Sequence, residues 1–218
     1  LCSLVPGQER YVMVCEVRIN KLGEIRSSLF HQAIISSHAR LTYDAVQGYL
    51  DGDAAGRTDL VSREIQKSLD DLCGIVQALT IERENRGSID LEIPEARIKF
   101  SKTGGIDNIC RVYRNKAHRL IEECMLAANL CAARLLEAKT IPAMFRLHED
   151  PASEDIVSLR QSLAGLGVNM SGKSSPSVGD LAEVLCNARS KAVSVDMVQL
   201  LLLRSMKQAV YSATKLPH

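Results

Sequence analysis

Apolar and polar positions alternate, imperfectly, from Tyr11 to Ile19, and the run stops at Asn20–Lys21–Leu22–Gly23. A second extended run follows from Glu24 to Ile35. Two such runs around a polar, Gly-containing break predict a β-hairpin. The period then lengthens. Thr42 stands before Tyr43, Val46 and Leu50, and Gly52 after them, which predicts a short helix capped by Thr42 and stopped at Gly52. From Leu60, apolar residues at Ile65, Leu69, Leu72, Val76 and Leu79 recur at three- and four-residue steps, the mark of a long helix with one buried face, and Gly87 suits its C-terminal cap. Ile89–Ile93, Arg97–Phe100 and Ile106–Val112 read as strands, with Gly104–Gly105 turning the last two. The strongest helical pattern runs from Asn115 to Lys139, with Ala117, Ile121, Cys124, Ala128, Cys131 and Leu135 as its inner stripe. Ala143–Leu147 predicts a short strand, and Ser153 a cap for a helix ending near Gly165–Gly167. Asn169 to Gly179 is a Ser/Gly-rich loop, followed by helices over Leu181–Arg189 and Asp196–Tyr211. No internal repeat is present, and the class is α+β.

Composition narrows the picture without specialising it. At 218 residues, 46% hydrophobic and 24% charged, the chain has the makings of one globular domain, which excludes a disordered or collagen-like protein. The longest aliphatic run, Leu200–Leu203, falls far short of the ~20 residues of a membrane span, so no membrane partner is expected. A balance of 27 basic and 26 acidic residues gives no overall electrostatic footprint for nucleic acid but leaves room for a local one. Seven cysteines with no C-x-x-C pair indicate neither a disulfide framework nor a zinc ribbon, and a reducing, cytoplasmic setting is the simplest reading. The chain opens on Leu1 and closes on Pro217–His218 directly after an apolar helical pattern, and both ends read as cuts through a longer protein.

Candidate chemistry is sparse. Gly167, Gly172, Lys173 and Ser174 satisfy the phosphate-loop spacing G-x-x-x-x-G-K-S. The residues before Gly167 have helical rather than strand periodicity, and Pro176 with its serine neighbours opens a poor helix, so nucleotide binding is a remote alternative. Asp51, Asp53 and Gly56 echo a calcium loop, but Ala55 and Ser62 occupy ligand positions. His118 and Glu122 have the i, i+4 spacing of a metal edge or of an ordinary intrahelical pair. His148–Glu149–Asp150 ends an apolar strand, where sites often lie, although turn and capping roles fit as well.

Four segments carry a family resemblance: Leu1–Pro6 (LCSLVP), Ser37–Val46 (SHARLTYDAV), Arg86–Glu92 (RGSIDLE) and His118–Ala133 (HRLIEECMLAANLCAA). Arg146–Pro151 (RLHEDP) and Leu202–Ser212 (LLRSMKQAVYS) extend it nearly to the end. In this order they resemble the ribonuclease II/ribonuclease R family of 3′–5′ exoribonucleases, most closely its bacterial ribonuclease R branch. The resemblance implies that residues 1–218 are an internal part of an RNB catalytic domain, truncated at both ends, whose mixed sheet and several helices form a channel for single-stranded RNA. It implies processive hydrolysis to nucleoside 5′-monophosphates with Mg²⁺. It places the catalytic aspartates before Leu1 and an arginine motif after His218, so no catalytic or metal-binding residue is expected within the chain, and the isolated segment is expected to be inactive. It assigns Tyr43 to stacking on the terminal base, in competition with packing on Val46 and Leu50. Arg146, His148 and Glu149 fall in a matching segment, as do Glu122, Glu123 and Asn129, for which helix packing competes. Arg204, Lys207 and Tyr211 are candidates to face RNA phosphates, or to be an exposed basic helix face. A non-catalytic RNA-binding derivative of the same fold is the alternative.

Overall fold

The computed structural model describes residues 3–53, 62–88, 90–91, 95–171, 176–191 and 193–213. They fall into two compact units, Leu1–Arg83 with Asn115–Thr140, and Glu84–Arg114 with Ile141–His218.

The first unit begins with the expected hairpin, β1 (Glu9–Ile19) paired antiparallel with β2 (Ile25–Ser36). Asn20 builds its turn: the side-chain oxygen accepts from the N–H groups of Leu22 (3.0 Å) and Glu24 (2.9 Å). Gly23 has φ +82° and is buried, because a Cβ there would lie 2.1 Å from the carbonyl oxygen of Ala78. The turn therefore rests directly on the backbone of the long helix α2 (Arg63–Asn85). Ahead of it, α1 (Tyr43–Leu50) starts as predicted, with Thr42 Oγ1 accepting from the Ala45 N–H at 3.2 Å, and stops at Gly52, φ +81°.

Helix α3 (Lys116–Ala138) is capped by Asn115, whose side chain accepts from the His118 N–H at 3.0 Å. Its buried residues are Ala117, Leu120, Glu123, Ala127 and Cys131, so the inner face is turned from the predicted one: Ile121 is exposed and Leu120 takes its place. Apolar residues surround this helix, including the exposed Met125 and Leu126, so spacing alone does not choose a face. Packing does: Ala117 and Leu120 meet Val46 of α1 and Val76 of α2, with Leu41, Leu50, Leu69, Leu72, Cys73 and Cys124 around them. Beside this core, Arg83 Nη2 and Nε both lie 2.9 Å from Oε1 of the buried Glu123.

The second unit contains the hairpin of β3 (Glu95–Phe100) and β4 (Ile106–Val112), turned at Gly104 with φ +85°. The proposed strand at Ile89–Ile93 lies largely outside the described residues. A second ladder pairs β5 (Phe145–Leu147) with β6 (Val210–Ser212). Three helices make the core: α4 (Ser153–Gly165), α5 (Val178–Ser190) and α6 (Val195–Ser205). Their inner faces join Ile156, Leu159 and Leu163 to Leu181, Val184 and Leu185, and to Val198 and Leu202. Helix α5 opens with a reciprocal cap: Ser177 accepts from the Asp180 N–H (3.2 Å), and Asp180 accepts from the Ser177 N–H (2.7 Å).

Three expectations change. The described strands form three two-stranded antiparallel ladders rather than one mixed sheet, within an α+β fold of small sheets and several helices. The last helix ends at Ser205, not Tyr211: Met206 turns to an extended backbone (ψ 141°), and Val210–Tyr211, good strand formers, pair with β5. Ser153 is the first helical residue of α4 rather than its cap, which is Ala152.

Candidate functional site

The residues singled out by sequence collect at two places, one in each unit. In the first, Tyr43, Gln47 and Asp51 follow one another at four-residue steps along and just beyond α1, so all three lie on one side of it. Each meets the N-terminal turn of α3. The Tyr43 ring stacks on the His118 imidazole, centroids 4.0 Å apart and planes 16° from parallel, while remaining 44% exposed. Gln47 Oε1 accepts from the Ala117 N–H at 3.3 Å, and its Nε2 donates to Asp51 Oδ2 at 2.7 Å. Asp51 Oδ1 is 3.2 Å from Lys116 Nζ. The hydrogen bond from Gln47, then that from Lys116, holds the Asp51 carboxyl below the usual carboxylate range.

Tyr43 thus does something neither sequence reading anticipated: its partner is an aromatic ring of the chain itself. His118 Nδ1 is in turn bonded to the Asn115 side chain that caps the helix. Glu123 is a packing residue, buried against Arg83, whereas Asn129 is exposed. The calcium-loop echo gives way to this network at Asp51, with residues 54–61 outside the described residues.

The second place is the β5–β6 ladder. Arg146 stands directly opposite Tyr211, and residues opposite one another in an antiparallel pair share a face. Both are exposed, Tyr211 at 69%, while Leu147 on the other face is buried. His148 and Glu149 follow β5 and are exposed. Glu149 Oε2 lies 2.9 Å from Lys207 Nζ in the segment leading into β6. That bond and the Glu149 charge, with smaller contributions from Asp155 and Asp150, raise the Lys207 ammonium above its ordinary value. Lys207 is therefore committed to a carboxylate and lies off the helix face to which it was assigned. Arg204 is exposed in the last turn of α6.

Two features escaped sequence reasoning. Gln47 had a legible signal, the four-residue repeat with Tyr43 and Asp51, which gains meaning only once α3 is known to lie alongside. Arg111, over the Tyr113 ring at 5.8 Å and paired with Asp196 at 3.1 Å, joins β4 to α6 across a separation that local pattern cannot report.

Among the described residues no group of three or more His, Cys, Asp or Glu side chains could hold a metal ion, so the His118–Glu122 spacing is not a metal edge with further ligands. The phosphate-loop reading also loses its context. Gly167, with φ +75°, ends helix α4, its N–H donating to the Ala164 carbonyl at 2.9 Å, where a phosphate loop requires a preceding strand. Gly172, Lys173 and Ser174 lie outside the described residues.

Known proteins place this arrangement in a family. Ribonuclease R of Escherichia coli (strain K12) is 41% identical over 218 residues, covering 100% of this chain and 26% of that protein. The chain thus spans about a quarter of the length of the curated relative it matches. Mycoplasma genitalium RNase R in complex with ribose methylated single-stranded RNA superposes with a TM-score of 0.92 at 28% identity, over 100% of this chain and 34% of that one. The same enzyme in complex with double-stranded RNA gives 0.89 at 28% identity, over 98% and 37%. The family model described as "RNB domain" matches residues 1–218, and the chain belongs to the RNB domain family.

Proposed function

We propose that this chain is the central part of the catalytic domain of a cytoplasmic, processive 3′–5′ exoribonuclease that hydrolyses single-stranded RNA to nucleoside 5′-monophosphates. The likeness over the whole chain to an RNase R that carries RNA is the observation that supports it. No helix of the described residues is long and apolar enough to cross a membrane.

The two residue groups divide the work of holding RNA. Tyr43, backed by His118, offers its exposed aromatic surface to a base; stacking accepts every base and is worth ~1–3 kcal/mol. Arg146 and Tyr211 present a cation and a ring on one exposed face, the pairing that takes a phosphate and a neighbouring base. His148 borders that face as a further hydrogen-bonding group, while Glu149 holds Lys207. The family resemblance implies Mg²⁺ for the hydrolysis. Among the described residues no group of three or more His, Cys, Asp or Glu side chains could hold such an ion.

This division predicts binding without cleavage. The 218-residue chain mixed with a 3′-tailed RNA and Mg²⁺ is expected to bind the RNA and release no mononucleotides. Metal-dependent release of mononucleotides by the chain alone would contradict it. A non-catalytic RNA-binding derivative is the second reading, and it is distinguished by whether the protein with its flanking segments releases mononucleotides.

A further inference from the structure

Helix α1 has eight residues, too few to hold its own conformation in water, and a single buried side chain, Val46. Val46 and the half-buried Leu50 pack against the core and the Tyr49 hydroxyl bonds to Asp70 of α2 at 2.9 Å, while the stack of Tyr43 on His118 depends on how the side carrying Tyr43 and Gln47 meets α3. We propose that Gln47 is the positioning residue that sets it: by bonding at once to the first turn of α3 and to Asp51, it holds the Tyr43 ring in register with His118.

The geometry supports this from three sides. Gln47 is one helical turn from Tyr43 on the same side of α1, so any rotation that moves one moves the other. Its acceptor bond goes to the Ala117 N–H, one of the N–H groups that a helix leaves unpaired in its first turn, and Ala117 directly precedes His118. The lock and the stack therefore engage adjacent residues of α3. Its donor bond goes to Asp51, itself tied to Lys116, so the amide is held at both ends and cannot swivel. The Thr42 side chain caps the helix on its own backbone, at the Ala45 N–H, and Leu50 is half-buried. Asp51 still meets Lys116, and Tyr49 still meets Asp70 of α2, when Gln47 is lost; Gln47 is the link that engages α3 beside the stack, at Ala117.

The inference rests on the proposed role of Tyr43 in RNA binding only for its functional consequence; the positional claim stands apart and is read separately. The test follows the His118 ring-proton resonances by NMR at one fixed pH in the full chain. A ring current from a stacked tyrosine shifts them upfield, and Tyr43→Leu defines the unstacked position. Gln47→Leu, which keeps the side-chain bulk but removes both bonds, is expected to move them most of the way to that position. Gln47→Glu places two carboxylates together and is expected to do the same. Combining Gln47→Glu with Asp51→Asn restores one donor and one acceptor in reversed order, and is expected to bring the resonances back. RNA affinity should follow the same order, with Gln47→Leu weakening binding by roughly fivefold or more if the stack serves the RNA. His118 resonances at their wild-type position in folded Gln47→Leu, or no recovery in the reversed pair, would overturn the positioning role. A resonance shift in Gln47→Leu with unchanged RNA affinity in both Gln47→Leu and Tyr43→Ala would support the positioning role and reject the RNA contact.

Discussion

Gly23 illustrates how one residue can be read correctly in sequence and for only part of the reason. A glycine after Asn20 announces a turn, and its φ of +82° fits that role. Its second constraint, the Ala78 carbonyl 2.1 Å from where a Cβ would stand, joins segments far apart in the chain and leaves no local trace. Gly23→Ala is expected to lose about 1–3 kcal/mol to backbone strain alone, with the collision added, and a fall in the urea midpoint of unfolding checks it. Glu123 makes the same point for charge. In sequence it is one of two adjacent glutamates on a helix; in the fold it is 4% exposed and depends on Arg83. Arg83→Ala should cost about 3–5 kcal/mol by leaving a buried carboxylate unpaired, whereas Arg83→Met together with Glu123→Leu should recover most of that loss in the same measurement.

The elements were legible where their signals are local. Thr42 caps α1 and Gly52 and Gly104 turn the chain where the sequence said they would, and α3 starts at the expected place, with Asn115 as its cap. Signals failed where an element is decided from elsewhere. Residues after Ser205 keep an apolar pattern, yet Val210–Ser212 become a strand because Phe145–Leu147 are there to pair with them. The same pairing puts Arg146 opposite Tyr211, so the second candidate site was legible as residues but not as a face. The Ser177–Asp180 box makes a prediction at this scale. The Asp180 carboxyl lies below its ordinary value, chiefly through the Ser177 N–H and then its hydroxyl. A depressed folded-state value means the cap contributes stability above the ordinary aspartate range, near pH 4, and loses it as pH falls through the lower folded value. Asp180→Asn should therefore melt lower than wild type at pH 7, and the gap should narrow on acidification. Ser177→Ala should cost about 1 kcal/mol.

At the scale of the whole molecule, family membership was legible because ordered motifs spread over 218 residues are far more specific than any single site pattern. The near-neutral charge of +1 is uninformative for a physical reason: the proposed grip on RNA, built from stacked rings and one or two cations, would leave no mark on a sum. What the sum concealed are two local surfaces, Tyr43 on His118 and Arg146 beside Tyr211. The most direct test of the account is a fluorescence-anisotropy titration of a labelled 3′-tailed single-stranded RNA with the wild-type chain, Tyr43→Ala and Arg146→Ala at several salt concentrations. The account predicts roughly 5- to 150-fold weaker binding for Tyr43→Ala, and for Arg146→Ala weaker binding with a salt dependence shallower by about one ion. Wild-type affinity and an unchanged salt slope in both variants would contradict it.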